Sequence, residues 1–389
     1  MNYRKDPKNG NELSILGFGG MRLPSSGLGI DQQKTNALIS KAISLGINYI
    51  DTAYIYSGSE AAIGVALKEC NGRDKVYLAT KLPHRMCRDK ASFGSYFEKS
   101  LTRLQTGYID YYLIHNLQDL KSWERLVGLG ILDWISEKKK NGQISNIGFS
   151  FHGRYEAFIE IIDSYSWDFC QIQYNYMNEN YQAGKAGLQA ASSKGMAVMV
   201  MEPLLGGKLA NSLPKQAQKA FSSYSISMSP AEWAFRWIWD QAEATVTLSG
   251  MNSLAQLEEN TKAASKAHAG MLTEKERSIY KEAVEAVSES YKVPCTGCGY
   301  CMPCPNGVNI PDCFSSLNTS YSIGYIAGLA GYVTAFKTNN PRNCKKCGLC
   351  EKSCPQAIPI QESLKLVARR MEPAPIRLAM KAAGWLRLT

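Results

Sequence analysis

No stretch of this sequence approaches the roughly 18 apolar residues that a membrane-spanning helix requires. Its first residues, Met1-Asn2-Tyr3-Arg4-Lys5-Asp6, lead into no apolar segment of the kind that directs secretion. These absences exclude a transmembrane class and set the expectation of a cytoplasmic protein. Nor is any basic run interleaved with aromatic residues, which argues against a nucleic-acid interface although the formal net charge is +10. The excess charge is spread thinly and partly collects near the end, in Arg369, Arg370, Arg377, Lys381 and Arg387. It reads as a solvated face that would also suit an acidic redox partner. With 45% hydrophobic and 20% charged residues, the chain has ample material for a core and no compositional sign of disorder.

The 389 residues leave room for one barrel of about 250 residues and a smaller module. From residue 11 to about 268, short β-type runs alternate with helical periods, the pattern of βα units around a parallel sheet. Strands are expected at Ser14–Phe18, Asn48–Asp51, Val76–Thr80, Tyr108–Ile114, Ile144–Phe149, Phe169–Gln173, Ala197–Met201 and Thr245–Leu248. Eight strands predict a closed (β/α)8 barrel, an α/β fold. Helices are expected between them, among them Trp123–Lys139 as one continuous helix. The opening segment Tyr3 to Leu13, with Asn9-Gly10 at its turn, predicts a β-hairpin that plugs the barrel floor. The expected division is a barrel with its hairpin over 1–272, a linking helix over 273–292 beginning at the cap-like Thr273, and a small, mainly helical module over 293–389. Within that module, Ile310–Phe336 has helical spacing in its second half and Glu362–Met371 reads as helix. Pro373 and Pro375 then break the chain before a basic, amphipathic Ile376–Leu388, suited to packing against the barrel or to lying on a membrane surface.

Eight of the twelve cysteines fall in two short, evenly spaced runs, which in a chain without a secretion leader points to metal ligation rather than disulfides. The second run, Cys344-x2-Cys347-x2-Cys350-x3-Cys354-Pro355, matches the bacterial ferredoxin pattern at every spacing. The first, Cys295-x2-Cys298-x2-Cys301-x2-Cys304-Pro305, departs from it by one residue before its last cysteine. Thiolates are soft ligands for iron or zinc. Four-thiolate zinc sites are the alternative, but they call for two close pairs, whereas here two triplets are each followed by Cys-Pro. The resemblance to two-cluster ferredoxins implies two [4Fe–4S] clusters in a ferredoxin-like domain, with the remote cysteine of each run ligating the other cluster. Cys295, Cys298, Cys301 and Cys354 would hold one, and Cys344, Cys347, Cys350 and Cys304 the other. Cys70, Cys87, Cys170 and Cys313 read as small buried hydrophobes, with Cys87 of added interest because it follows Lys81 in a loop.

In a (β/α)8 barrel, polar residues just after a strand point to the face where chemistry occurs. Asp51, Lys81 and His115 each occupy such a position, and Tyr56 lies in the loop after Asp51. Reduction of a carbonyl by hydride needs a proton for the developing alkoxide, and a phenol with pKa near 10 is a poor acid unless its anion is stabilised. A lysine cation supplies that stabilisation, a carboxylate holds the lysine, and a histidine orients the carbonyl. Together with Leu16-Gly17-Phe18-Gly19-Gly20-Met21, Asp51-Thr52-Ala53, Leu113-Ile114-His115 and Glu258-Glu259-Asn260, these four residues make the stretch 11–268 resemble the aldo-keto reductases.

That resemblance implies cofactor contacts at Gly20 and Met21, at Ser150 and Gln171 beside a nicotinamide carboxamide, at Met201, Pro203 and Leu204 after the seventh strand, and at Gly206, Gly207 and Lys208 for a pyrophosphate. Gly250, Gln256, Glu259 and Asn260 complete the set near the eighth strand. Three departures stand out. Phe151 and His152 follow Ser150 where the family usually has asparagine, Met201-Glu202-Pro203-Leu204 offers no aromatic ring to stack on nicotinamide, and Gly250 and Gln256 replace the cations that hold a 2′-phosphate. NAD(P)H is the expected cofactor, without an evident preference between NADH and NADPH. A flavin would convert two-electron into one-electron transfer, but the sequence carries no flavin signature.

The leading expectation is an oxidoreductase that interconverts a carbonyl and an alcohol, with Tyr56 as general acid and base. The clusters would wire it to a one-electron redox protein. One alternative is an electron-transfer or binding protein on a catalytically retired barrel; another is a nicotinamide-dependent reductase whose clusters are structural or sensing.

Overall fold

The computed structural model describes residues 1–27, 29–335 and 341–382. Ten strands are present among them: β1 (Tyr3–Lys5), β2 (Glu12–Ser14), β3 (Leu16–Gly19), β4 (Tyr49–Asp51), β5 (Tyr77–Leu82), β6 (Ile109–Leu117), β7 (Ile144–Phe151), β8 (Phe169–Gln173), β9 (Ala197–Met201) and β10 (Val246–Ser249). β3 to β10 pair in sequence and in parallel, and β10 closes on β3 to complete an eight-stranded barrel.

The barrel's interior follows from the two-residue period of strands, in which alternate side chains face one side. Tyr49, Ala79, Tyr111, Leu113, Phe169, Ala197, Met199, Val246 and Leu248 form one buried cluster inside it. Close approach of Leu248 and Val246 leaves no space for a side chain at Gly17, whose Cβ would lie 2.7 Å from Val246 Cγ1. Two residues beyond the interior positions Tyr49, Ala79, Leu113 and Phe169 stand Asp51, Lys81, His115 and Gln171. The same alternation that packs the core therefore turns these four side chains inward at the C-terminal end of their strands.

β1 and β2 form the expected antiparallel hairpin. It closes the opposite end: Leu13 joins the interior cluster, the Tyr111 hydroxyl donates to Asp6 at 2.8 Å, and Asn9 Nδ2 donates to Asn146 Oδ1 at 2.8 Å.

Three helical expectations need correction. Trp123–Lys139 is not one helix but two, Leu120–Gly128 and Ile131–Lys140, because Gly130 takes a left-handed conformation (φ 86°) and becomes the N-cap of the second. Between the cysteine runs the first half is also helical: Ile310–Ser322 precedes Tyr325–Ala335, with a break at Gly324 (φ 145°). Its polar Asn318 is buried but satisfied, accepting from the N–H groups of Lys292 and Val293 and donating to Val293 O at 2.7 Å, so serine and asparagine there do not oppose helix formation. The proline break falls between Ile360–Met371 and Ala374–Ala382, and Pro375 sits in the first turn of the latter, where its missing N–H costs nothing. Phe336 and residues 383–388 of the predicted helices lie outside the described residues.

The chain divides into two compact units. One comprises Met1–Pro203 with Ala234–Leu272; the other comprises Leu204–Trp233 with the described part of Thr273–Thr389. The second begins its later segment with the helix Glu274–Ser290, started by a capping box in which Thr273 and Glu276 satisfy each other's backbone N–H groups. Its core joins Val293, Val308, Phe314, Leu317, Leu364 and Val367, and six cysteines of the two runs pack against it. No helix among the described residues is long and apolar enough to cross a membrane.

Candidate active site and cysteine-lined cavities

At the mouth of the barrel, Lys81 Nζ donates to Asp51 Oδ1 at 2.6 Å and to Thr52 O at 2.7 Å. The second carboxylate oxygen of Asp51 accepts from Gln171 Nε2 at 3.0 Å. Lys81 Nζ lies 5.2 Å from the centre of the Tyr56 ring. The same ring meets His115 edge to face, with centroids 5.8 Å apart. Four residues spread over 65 positions of sequence are thus brought together, with Gln171 as a fifth.

Burial shapes their charges. Desolvation pulls the Lys81 ammonium below its ordinary value, opposed by the adjoining Asp51. His115 is held well below the usual imidazole range, first by burial and then by the positive charge of Lys81, so its ring is neutral at pH 7. A neutral imidazole can donate one hydrogen bond to a carbonyl without adding a cation.

Two further buried histidines, His84 and His152, are likewise lowered to about 4, chiefly by burial. His152 Nδ1 lies 3.2 Å from Gln182 Oε1, whose Nε2 donates to Gln173 Oε1 at 3.1 Å. Because the unfolded chain binds protons to these histidines at higher pH than the folded one, their contribution to stability is complete above pH ~6.5 and is lost as pH falls toward 4. Unfolding titrations at pH 7.5 and pH 5 are expected to show that loss, at up to about 1.4 kcal/mol per pH unit for each group. The double variant His84→Gln/His152→Gln should flatten the slope between the two; an unchanged slope would assign the acid sensitivity elsewhere.

The expected cofactor residues are distributed unevenly. Ser150 Oγ accepts the backbone N–H of Asn116 at 2.7 Å, which leaves its hydroxyl proton for another partner. Gln171 is engaged with Asp51 rather than lying apart from the four. Gly20 is enclosed: a Cβ there would stand 2.7 Å from Ile63 Cδ1 and 3.0 Å from Asp51 O, whereas the neighbouring Met21 is exposed. Met201 ends β9 half-buried and Pro203 is buried. Leu204, Gly206, Gly207 and Lys208 belong to the other unit. Gly206 (φ 71°) and Gly207 (φ 93°) are both left-handed, and the Lys208 ammonium donates to the carbonyl of Cys295. Near β10, Asn260 Nδ2 reaches Ser249 Oγ at 3.4 Å, Glu259 is exposed, and Gln256 Oε1 accepts Asn252 N–H at 3.0 Å.

Sequence reasoning missed Arg22. Its side chain runs along Gly250, with Cβ, Cδ and Cγ 3.4 to 3.7 Å from where a Cβ of residue 250 would be. A cation thus stands beside Gly250, a position where the family resemblance leads to the expectation of one. No local signal pointed to it, because the contact joins opposite ends of the barrel segment. His152 did carry a signal, since it continues the inward alternation Gly148, Ser150, His152.

The cysteines line two cavities of the second unit. One, of about 20 Å³, is bordered by Cys295, Cys298, Cys301 and Cys354. The other, of about 170 Å³, is bordered by Cys304, Cys344, Cys347 and Cys350, and Cys301 borders both. Neither lining contains His, Asp or Glu, and the remaining lining residues are largely apolar. Soft donors alone among largely apolar neighbours are the donor set of an iron–sulfur cluster. The thiol of Cys301 is pushed up to about 12 by burial and by the neighbouring Cys295, Cys298 and Cys354, so the remote Cys354 does lie among the first triplet. Cys87, Cys170 and Cys313 are buried and Cys70 half-buried, with Cys313 in the core of the second unit.

Comparison with known proteins accords with both halves. The chain belongs to the aldo/keto reductase family, whose profile matches residues 15–276, and a 4Fe-4S dicluster domain matches residues 294–359. It is therefore an oxidoreductase with a C-terminal iron–sulfur domain. A relative in Bacillus subtilis strain 168, Uncharacterized oxidoreductase YqkF, is 26% identical over 308 residues, which covers 71% of this chain and 94% of that protein. The holo form of aldo-keto reductase AKR11C1 from Bacillus halodurans is 25% identical and superposes with a TM-score of 0.60, covering 73% of this chain and 96% of its own. An aldo-keto reductase from Klebsiella pneumoniae in complex with NADPH shares the fold at 20% identity, with a TM-score of 0.57 over 72% of this chain and 95% of its own.

Proposed function

We propose that the barrel interconverts a carbonyl and an alcohol on a small-molecule substrate. Tyr56 serves as general acid in reduction and general base in oxidation, and the two cysteine-lined cavities hold [4Fe–4S] clusters. The observation that carries the reading is the Lys81 ammonium, pinned by Asp51 at 2.6 Å and lying 5.2 Å from the centre of the Tyr56 ring. When bound, a nicotinamide supplies the hydride and the clusters store single electrons.

Tyr56 gives its proton to the oxygen as hydride reaches the carbonyl carbon, and the Lys81 cation stabilises the phenolate left behind. Asp51 keeps that cation in place, and Gln171 keeps Asp51 in place. Neutral His115 orients the carbonyl. Ser150, with its hydroxyl proton available, suits the nicotinamide carboxamide, and Gly20 admits backbone approach where no side chain fits. Clusters pass one electron at a time, so joining them to a hydride requires a two-electron carrier such as a flavin between the two. No group of residues here is assigned to one.

The double variant Asp51→Asn/Lys81→Met removes the buried pair without stranding a charge, and so avoids the roughly 3–5 kcal/mol cost of breaking it from one side. It is expected to lower kcat for carbonyl reduction by about 10²–10³-fold with the fold retained. Wild-type turnover in a folded double variant would remove Lys81 from the chemistry.

Arg22 beside Gly250 supports a preference for the phosphorylated nicotinamide. Replacing it with leucine should raise KM for NADPH by about ten-fold, the loss of one charge-assisted contact, and leave KM for NADH nearly unchanged. Equal effects on both cofactors would place Arg22 elsewhere in binding.

A further inference from the structure

Of the eight cysteines in the two runs, seven are half-buried and Cys347 is exposed. It lies in a loop where Lys345 and Lys346 are also exposed, and Lys352 is exposed on the short helix that follows. Leu349, at the start of the short helix Leu349–Ser353, is 54% exposed. The acidic groups around this loop are already engaged. Glu351 turns inward, accepting from Gln361 N–H at 2.9 Å and from its Nε2 at 3.0 Å. Glu362 pairs with Lys365 at 2.6 Å, and Glu372 is buried against Arg342 and Tyr332. The outward face is an apolar point set among lysines, next to the most accessible thiol of the larger cavity.

We infer that this face is the docking surface for an acidic one-electron carrier protein, with the Cys347 loop as the point where electrons cross. The inference rests on the reading that the larger cavity holds a cluster. In one crossing the reduced carrier gives up one electron and the cluster gains it, with no bond made or broken and no proton moved. Lysines steer an acidic partner and speed encounter, most strongly at low salt. Leu349 supplies a small dry contact of the size that transient electron-transfer pairs use. The cysteines bordering the other cavity are all half-buried, so it has no comparable exposed thiol.

The test uses the full chain, purified and cluster-loaded without oxygen, mixed in a stopped-flow instrument with a reduced acidic [2Fe–2S] ferredoxin as probe. The second-order rate of cluster reduction should fall steeply as ionic strength rises. Lys345→Glu/Lys346→Glu/Lys352→Glu should lower that rate at least about ten-fold at low salt and flatten the salt dependence. Iron content, the electron paramagnetic resonance spectrum and reduction by dithionite should stay as in the wild type, which separates docking from a mere adjustment of the cluster's own charge balance. The control Lys34→Glu/Lys194→Glu, on the barrel unit, should leave the rate unchanged. An unaltered rate in the triple variant, or an equal fall in the control, overturns the proposal. So does a triple variant that loses binding only to phosphatidylglycerol vesicles, which would make the face a lipid contact. If the wild type holds no reducible cluster, the cluster reading is what fails. Docking is then judged by calorimetry with the oxidised ferredoxin: salt-sensitive binding lost in the triple variant upholds the surface, and no binding overturns it.

Discussion

Tyr56→Phe is expected to reduce carbonyl turnover by about 10²–10⁴-fold, the usual contribution of a positioned proton donor. The substitution removes one oxygen and keeps the ring, so the edge-to-face contact with His115 and the approach of Lys81 survive. Substrate KM should therefore change far less than kcat, and cluster spectra should not change at all. Steady-state kinetics on one aldehyde and one ketone under anaerobic conditions would check it. Full turnover with every carbonyl substrate found would remove Tyr56 as the acid and shift the proton to another donor, Lys81 or His115.

The second large effect concerns the cysteines. If ligands cross between the runs, Cys354→Ala and Cys298→Ala strike the same cluster, because both border the smaller cavity. Cys347→Ala strikes the other. Iron analysis and electron paramagnetic resonance should then show one surviving cluster in Cys354→Ala/Cys298→Ala, with about half the iron of the wild type, and none in Cys354→Ala/Cys347→Ala. Ligation within each run predicts the reverse pattern. A missing residue before Cys304 made its pairing the least secure from spacing alone, yet its side chain borders the cavity of Cys344, Cys347 and Cys350.

How far the sequence reaches depends on how local each cause is. Strands that alternate around a barrel announce themselves, and Phe169–Gln173 and Ala197–Met201 have the boundaries read from residue pattern. The inward position of Asp51, Lys81 and His115 follows from the same alternation. The break at Gly130 was missed because the surrounding apolar spacing runs on through it, and only the left-handed backbone interrupts the helix. The Ser-rich stretch Ile310–Ser322 was missed for the opposite reason: its helix depends on the buried partners of Asn318, which no local pattern displays. Arg22 against Gly250, Gln171 on Asp51 and Lys208 on Cys295 are contacts between distant segments. Gln171 and Lys208 were legible as polar groups near a site, but the partners they hold were not.

The destination of the hydride distinguishes a working reductase barrel from a retired one. Anaerobic turnover with reduced nicotinamide cofactor carrying deuterium at both positions of carbon 4 of its ring, followed by mass spectrometry of the alcohol, traces that atom. The expected result is one deuterium at the carbinol carbon for each cofactor oxidised, with the transfer almost abolished in Tyr56→Phe. Alcohol that forms without the label, or cofactor oxidation that proceeds with no alcohol from any carbonyl, would contradict it.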